Sequence, residues 1–372
     1  MKTYTCRPSN AKAVETLKSQ GIPPLLALVL AGRGHTDLKS ANSLIKPEKT
    51  PPIDPFLLPD MQIGVEVIQA ALDHGKTIAV FGDYDVDGIT ATALLAEFLE
   101  DKGSKSKIMT YIPRRLSEGY GLSMRAIDHL KELGAHLIIT VDCGISSLEE
   151  ANYASELGID IVITDHHTCQ GELPKVKAVI NPRREDSTYP FVPLAGVGVA
   201  LKLALALTPR EGWDEVTSRY CELVAIGTIA DVMPMEGENR TLVREGLDKI
   251  NKDPRLGVRL LMGESGYLVK EITAVGVGYS LAPRLNAAGR MDNPQLAVDL
   301  LLTNSPERAI ALVGELCSLN TKRQEAEVEV YRQCLKRLEE KPPQALIFLS
   351  DDIWHQGVVG IVASRLTDKY RL

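Results

Sequence analysis

The sequence predicts an α/β fold, a mostly parallel sheet with helices on both faces, followed by a helical C-terminal part and a long connector helix. Three observations carry this expectation. From Lys76 onward, short apolar runs rich in β-formers alternate with segments of helical periodicity. Beyond Pro193 the chain becomes mainly helical. From Pro306 to Glu340 no proline or glycine interrupts the chain after Gly314, and Glu, Gln, Arg and Lys abound.

In order, the first seventy residues carry Pro23-Pro24, Pro51-Pro52, Pro55 and Pro59, and read as short helices on an irregular arm without chemistry of its own. The run Thr77-Ile78-Ala79-Val80-Phe81 is a strand, and Thr90 to Leu99 a helix. Lys107 to Ile112 is a strand, Ser123 to Leu133 a helix, Leu137 to Val141 a strand, Ser147 to Leu157 a helix, and Ile159 to Ile163 a strand. Alternation at this spacing implies right-handed crossovers between parallel strands. Helices follow over Leu194 to Leu207, Glu215 to Ile229 and Thr241 to Asn251. After Pro342-Pro343 the strand-like run Ala345 to Leu349 opens a second domain, of which about thirty residues cannot bury a core alone. The chain therefore reads as a fragment of a longer protein. The expected division is an arm over 1–70, a catalytic domain over 71–304, a connector over 305–341 and the beginning of a further domain over 342–372.

With 372 residues and 44% hydrophobic content, the chain can bury cores for two or three domains. The longest apolar stretches, Pro24 to Ala31 and Leu201 to Leu207, fall short of the ~20 residues a membrane helix needs, and no signal-type apolar core follows Met1. A cytoplasmic protein is expected, with no membrane partner. The six cysteines form no C-x-x-C pair, which argues against a structural zinc site and predicts reduced thiols. A net charge of −7 excludes a surface coated in positive charge for nucleic acid. It does not exclude a metal-dependent nuclease, because bound cations reverse the sign locally.

The strongest chemical signal is Asp83-Tyr84-Asp85-Val86-Asp87-Gly88, directly after an apolar strand. Loops at the carboxyl ends of parallel strands form the ligand crevice, so these acids converge on one pocket. Their repulsion calls for a divalent cation. The motif also resembles the start of a calcium loop, but position 12 of such a loop falls on Leu94, where a Glu is required. Two further strand ends repeat the pattern, at Asp142-Cys143-Gly144 and Asp165-His166-His167. Taken singly, an Asp after a strand is a helix cap and a His a satisfied structural residue; three acidic strand ends in successive units point to a site. Adjacent histidines cannot both face one side, so one is free to ligate and the other to reach substrate. Asp231, in Ile226 to Pro234, ends an apolar helical run and in isolation reads as a turn residue. Oxygen and imidazole donors without thiolate favour manganese or magnesium over zinc, with cobalt a substitute in vitro. Two such ions roughly 3.5–4 Å apart activate water and stabilise the entering and leaving oxygens at phosphorus.

These four segments, in this order, resemble the motifs of DHH phosphoesterases, and their wording is closest to the RecJ branch. The resemblance also covers Ser117 to Leu122, Asn181-Pro182-Arg183, Leu194 to Ala200 and Pro283 to Met291, while His355 to Leu366 resembles the opening of that family's DHHA1 domain. It implies that Asp83, Asp85, Asp142, His166 and Asp231 hold two Mn2+ or Mg2+ ions, with Asp142 bridging, that His167 assists at the phosphate, and that Asp87 is a supporting residue or weak ligand. The implied catalytic residues are thus Asp142, His166 and His167. Small-substrate members place a histidine four positions before the first Asp, where this chain has Ala79, as RecJ proteins also lack it. The implied activity is 5′→3′ release of mononucleotides from single-stranded DNA in repair and recombination, alongside single-stranded-DNA-binding protein and a helicase. Arg114, Arg115, Tyr120, Arg284 and Arg290, in Gly-rich or turn-like segments beside the motifs, are the expected phosphate and stacking contacts. Lys322 and Arg323 are expected on a solvated helix face. Two other readings are a DHH phosphodiesterase acting on short oligonucleotides or cyclic dinucleotides, and a non-catalytic replication scaffold, against which the complete ligand set argues.

Overall fold

A computed structural model describes residues 10–45, 51–102, 105–115, 117–267, 269–291, 293–340 and 345–371. The chain divides into two compact units, Met1–Pro52 and Ile53–Leu372. The first holds α1 (Ala11–Ser19), α2 (Pro24–Gly32) and α3 (Leu38–Ile45). Asn10 caps α1 by accepting from the amides of Lys12 and Ala13. Leu17, Ala27, Leu30 and Ala41 form its small core.

The second unit begins with α4 (Met61–Asp73) and a five-stranded, wholly parallel sheet. Its strands are β1 (Ile78–Gly82), β2 (Ile108–Tyr111), β3 (Leu137–Val141), β4 (Asp160–Thr164) and β5 (Ala178–Ile180), in the order β2-β1-β3-β4-β5. The register places the last residues of the central strands side by side, Gly82 against Val141 and Val141 against Thr164. Helices α5 (Val86–Asp101), α6 (Met124–Glu132) and α7 (Leu148–Glu156) make the crossovers. The strands other than the half-buried edge strand β2 are buried on both faces, and their side chains separate with period two. Ile78, Val80, Leu137, Ile139, Val141 and Val162 enter one core, while Ala79, Phe81, Ile138, Ile161 and Ile163 enter the other.

The larger core is completed by α4, α5 and the helical part, α8 (Gly196–Ala206), α9 (Trp213–Ala230), α10 (Gly237–Lys252) and α11 (Leu256–Glu264). A short α12 (Ala274–Gly276) runs through a π-turn, Val277–Leu281, into α13 (Ala282–Met291), followed by α14 (Gln295–Leu302). The connector is α15 (Pro306–Glu340), with α16 (Gln356–Tyr370) packed on its far end through Val330, Cys334, Leu338, Val358, Val362 and Leu366.

One expected strand is absent. Residues 345–349 lie extended with Ile347 and Leu349 packed toward α15 and α16, and Leu346 and Phe348 exposed, so the two-residue alternation is present without a ladder. Periodicity sets which side chains turn inward, but a strand also needs a hydrogen-bonding neighbour, and none lies beside it among the described residues. The three-residue β5 escaped the sequence reading because it is too short to show a period. Arg323 also departs from expectation. It is only 11% exposed and bonds Glu327 at 2.7 Å. The five described cysteines are free thiols, and Cys6 lies outside the described residues. No described helix is long and apolar enough to cross a membrane.

Candidate metal centre and nucleic-acid contacts

Four chain segments converge at the carboxyl edge of the sheet. After β1, Asp83 turns back to accept from the amide of Tyr84, and Asp85 caps α5 through the amides of Asp87 and Gly88 at 2.9 and 3.1 Å. Gly88 is required here, since a Cβ would lie 2.5 Å from the Asp83 carbonyl oxygen. After β3, Asp142 adopts a left-handed conformation, φ 61°. This is a costly arrangement for a residue with a side chain, although Asp tolerates it better than most. It keeps the ladder bond of its amide to Thr164 while releasing the carboxylate into the crevice.

After β4, Asp165 is buried and accepts four bonds, from the amides of Ile145, His166 and His167 and from His167 Nδ1 at 2.8 Å. Burial opposes its charge, but these donors hold its carboxyl below the usual range. Asp165 thus organises the loop and fixes the His167 tautomer, with Nδ1 donating and Nε2 left for other partners. Asn181 and Arg183 tie the same loop down, the first donating Nδ2–H to the His167 carbonyl and the second donating Nε–H to the His166 carbonyl. Asp231 arrives as the C-terminal cap of α9.

The expected ligand atoms come together. His166 Nε2 lies 3.0 Å from Asp142 Oδ1 and 3.7 Å from Asp231 Oδ2. Asp83, Asp85 and Asp142 form one group with ligand atoms within 4.8 Å of one another; Asp142, His166 and His167 form a second, and Asp87, His166 and Asp231 a third. Asp142 and His166 each belong to two of these groups, so the three groups are linked through them. Asp87 stands apart in one respect. Its two oxygens already accept from the amides of Gly196 and Val197, at 2.6 and 2.9 Å, so that it anchors the N-terminus of α8. Gly196 in turn lies against Asp142, where a Cβ would stand 2.5 Å from the carboxylate oxygen.

Acidic groups are concentrated here without a cationic side chain paired to them: among the described residues no lysine or arginine pairs with Asp83, Asp85, Asp87, Asp142 or Asp231. Burial and the Asp85 charge push Asp83 up to about 7 and Asp231 up to about 6. Burial and the neighbouring carboxylates drive Asp87 and Asp142 well above the ordinary range. Burial beside His167 lowers His166 to about 4, the neutral form in which imidazole ligates metal. Asp142 Oδ1 is buried with no hydrogen-bond partner, since its approach to His166 lacks hydrogen-bonding geometry. An orphaned carboxylate oxygen facing an imidazole nitrogen amid four further acids is a donor set that a hard divalent cation fits.

Three of the expected nucleic-acid contacts gather around Tyr84, which the sequence reading missed. The Arg115 guanidinium sits 5.1 Å from the Tyr84 ring centroid, and Tyr120, 57% exposed, meets that ring edge-on. Gly289 brings α13 against the Tyr84 carbonyl, and Arg290 feels both Arg115 and Arg323, its pKa lowered first by burial and then by these charges. Arg284 is turned to its own helix, with Nη1 on the Ser280 carbonyl and Nε buried without a partner. The amide of Arg114 donates to Glu118 in the loop after β2.

With this geometry in hand, the likeness to known proteins is specific. The family described as "DHH family, N-terminal domain" matches residues 77–228. The chain is 38% identical to the single-stranded-DNA-specific exonuclease RecJ of Bacillus subtilis (strain 168), over 98% of this chain and 46% of that protein. It is 38% identical to the RecJ of Escherichia coli (strain K12), over 94% of this chain and 62% of the relative. It spans less than two thirds of the length of either relative. Among solved structures, exonuclease RecJ bound to manganese superposes with a TM-score of 0.76 at 39% identity, covering 86% of this chain and 80% of the other. RecJ of Thermus thermophilus in complex with Mn2+ gives a TM-score of 0.81 at 36% identity, covering 98% and 52%. The chain belongs to the DHH family, within its RecJ branch.

Proposed function

We propose that this chain is the catalytic core of a single-stranded-DNA-specific exonuclease that removes 5′-mononucleotides in the 5′→3′ direction, in DNA repair and recombination. The observation that carries this reading is Asp142, shared by two overlapping groups of ligand atoms, with one buried oxygen unpartnered. Manganese or magnesium, the metals bound in the RecJ structures, would be held here as two ions by Asp83, Asp85, Asp142, His166 and Asp231, and would supply Lewis acidity and an acidified water. Water adds to phosphorus, the bond from phosphorus to the 3′-oxygen of the terminal nucleotide breaks, and a proton passes to that oxygen. His167, its Nδ1 bonded to Asp165 and its pKa raised first by that bond, has Nε2 available to donate to a phosphate oxygen. Asp87 supports the site through α8. Tyr84, Tyr120, Arg115 and Arg290 offer rings and cations to the bases and backbone of a single strand, with Arg114 and Arg284 as further phosphate contacts.

We assign residues 1–70 to an arm, 71–304 to the catalytic domain, 305–341 to the connector and 342–372 to the beginning of a DHHA1 domain. We further propose a cytoplasmic location and work beside single-stranded-DNA-binding protein and a helicase. The test is incubation with manganese and a 3′-labelled single strand, beside a 5′-blocked copy and a dinucleotide. Loss from the free 5′ end with the blocked strand spared is the expected result; cleavage of the dinucleotide alone would move the chain to the small-substrate branch.

A further inference from the structure

Arg183 stands at the mouth of the metal centre in an arrangement that ion pairing and folding leave unexplained. Its backbone amide donates to Asn181 Oδ1 at 2.7 Å, and its Nε–H donates to the carbonyl of His166 at 2.6 Å. Asn181 is fully buried and donates to the carbonyl of His167, so two neighbouring residues clamp the two carbonyls of the histidine pair. A guanidinium carries five N–H donors in a planar fork. One is used here. The two Nη nitrogens form no hydrogen bond and no ion pair among the described residues, and the side chain is exposed to solvent. The charge acts on both Asp231 and His166, yet comes within ion-pair distance of no carboxylate. An arginine oriented by a ligand's own carbonyl and held beside five acids without pairing to any of them is arranged for an anion arriving from outside.

We infer that Arg183 is a substrate-binding residue of this centre, its Nη edge donating to a non-bridging oxygen of the phosphodiester that the metal centre cleaves. On this side Arg183 would act beside His167, the other donor offered to a phosphate oxygen. Arg115, Arg290 and Tyr120 cluster around Tyr84 after β1, whereas Arg183 is bound to the loop after β4. The inference rests on the proposed hydrolase reading, and its test separates the two.

In the full chain, Arg183→Ala and Arg183→Lys are compared with the unaltered protein in three measurements: manganese titration, binding of dAMP to the manganese-loaded protein, and kinetics on single-stranded DNA. Loss of one preorganised donor at a reacting phosphate predicts a fall in kcat/KM of about a hundredfold or more for the alanine variant. dAMP should bind more weakly, manganese affinity should stay close to that of the unaltered chain, and added guanidinium ion should restore part of the rate. Arg183→Lys keeps the charge without the planar fork and should fall between. Unchanged dAMP binding and kinetics would overturn the inference. So would a parallel loss of manganese affinity and activity without guanidinium rescue, which would mark Arg183 as a prop for His166. If the unaltered chain leaves single-stranded DNA intact, the hydrolase reading fails, while dAMP binding still decides whether Arg183 holds phosphate.

Discussion

Replacing Gly196 by alanine tests whether the helix behind the metal centre sets the position of Asp142. The added Cβ would lie 2.5 Å from both the Cβ and Oδ1 of Asp142 and 2.6 Å from its Cγ, far inside van der Waals contact. Relief by moving Asp142 is opposed by its left-handed backbone and its ladder bond to Thr164. Relief by moving α8 is opposed by the Asp87 carboxylate, which holds the amides of Gly196 and Val197. Overpacking of a rigid site costs about 1–3 kcal/mol, and the gain in helix propensity from glycine to alanine offsets at most about 1 kcal/mol. With the full offset the net loss is about 0–2 kcal/mol, which lowers the melting temperature by at most a few degrees in a folded protein. The larger effect falls on the metal, because Asp142 contributes to two ligand groups, and disturbing such support costs about 10–100-fold in affinity. Gly198 on the same helix is the control. Its Cβ would meet only the flexible Leu194 side chain, at 3.3 Å from Cδ2, so Gly198→Ala should be neutral or slightly stabilising. Thermal melts with and without manganese, paired with manganese titration calorimetry, measure both terms. Equal melting and equal manganese affinity in Gly196→Ala and the unaltered chain would refute the claim that this contact positions Asp142.

Three further outcomes are expected. Lys202, 1% exposed on its side chain, donates to Glu238 Oε1 at 2.5 Å and to the Ile53 carbonyl at 3.0 Å, so Lys202→Met leaves a buried carboxylate without its cation and should cost about 3–5 kcal/mol in denaturant unfolding, part of it recovered by adding Glu238→Gln. In the metal-free chain Asp83 and Asp231 have folded-state values raised to about 7 and 6, so their contribution is fully present below the unfolded carboxyl range and lost as pH rises. His166, lowered to about 4, works the other way over this range, but the two raised carboxyls together outweigh it, so the metal-free melting temperature should fall between about pH 4 and 7 and manganese stabilisation should grow over the same window; a flat or rising metal-free profile contradicts this. Asp142→Ala should abolish hydrolysis yet raise the metal-free melting temperature, because it removes a buried carboxyl with one unpartnered oxygen from a cluster of acids; substantial residual activity at equal manganese removes its assignment as the bridge.

The alternation of β-rich runs with helical segments located four strands and most helices, because burial on both sheet faces forces continuous apolar runs such as Leu137 to Val141. Residues 345–349 show the limit of that signal, since alternation survives there without pairing. At the site, acidic residues immediately after apolar strands were legible because strand ends in parallel sheets share an edge. The spacing that brings Asp231 against His166, from a helix end far along the chain, was not.

The sequence by itself determined the chemistry available at the crevice: aspartates and histidines without thiolate, one set per strand end. Only the tertiary structure decided how those groups are used. It shows Asp165 bonded to the loop and to His167, Asp87 committed to the amides of α8, Asp142 left with an unpartnered oxygen, and Arg183 fixed by a histidine carbonyl with its outer edge open. The physical reason is that a side chain's type sets what it can bind, whereas its remaining free lone pairs and donors depend on neighbours that approach from distant parts of the chain.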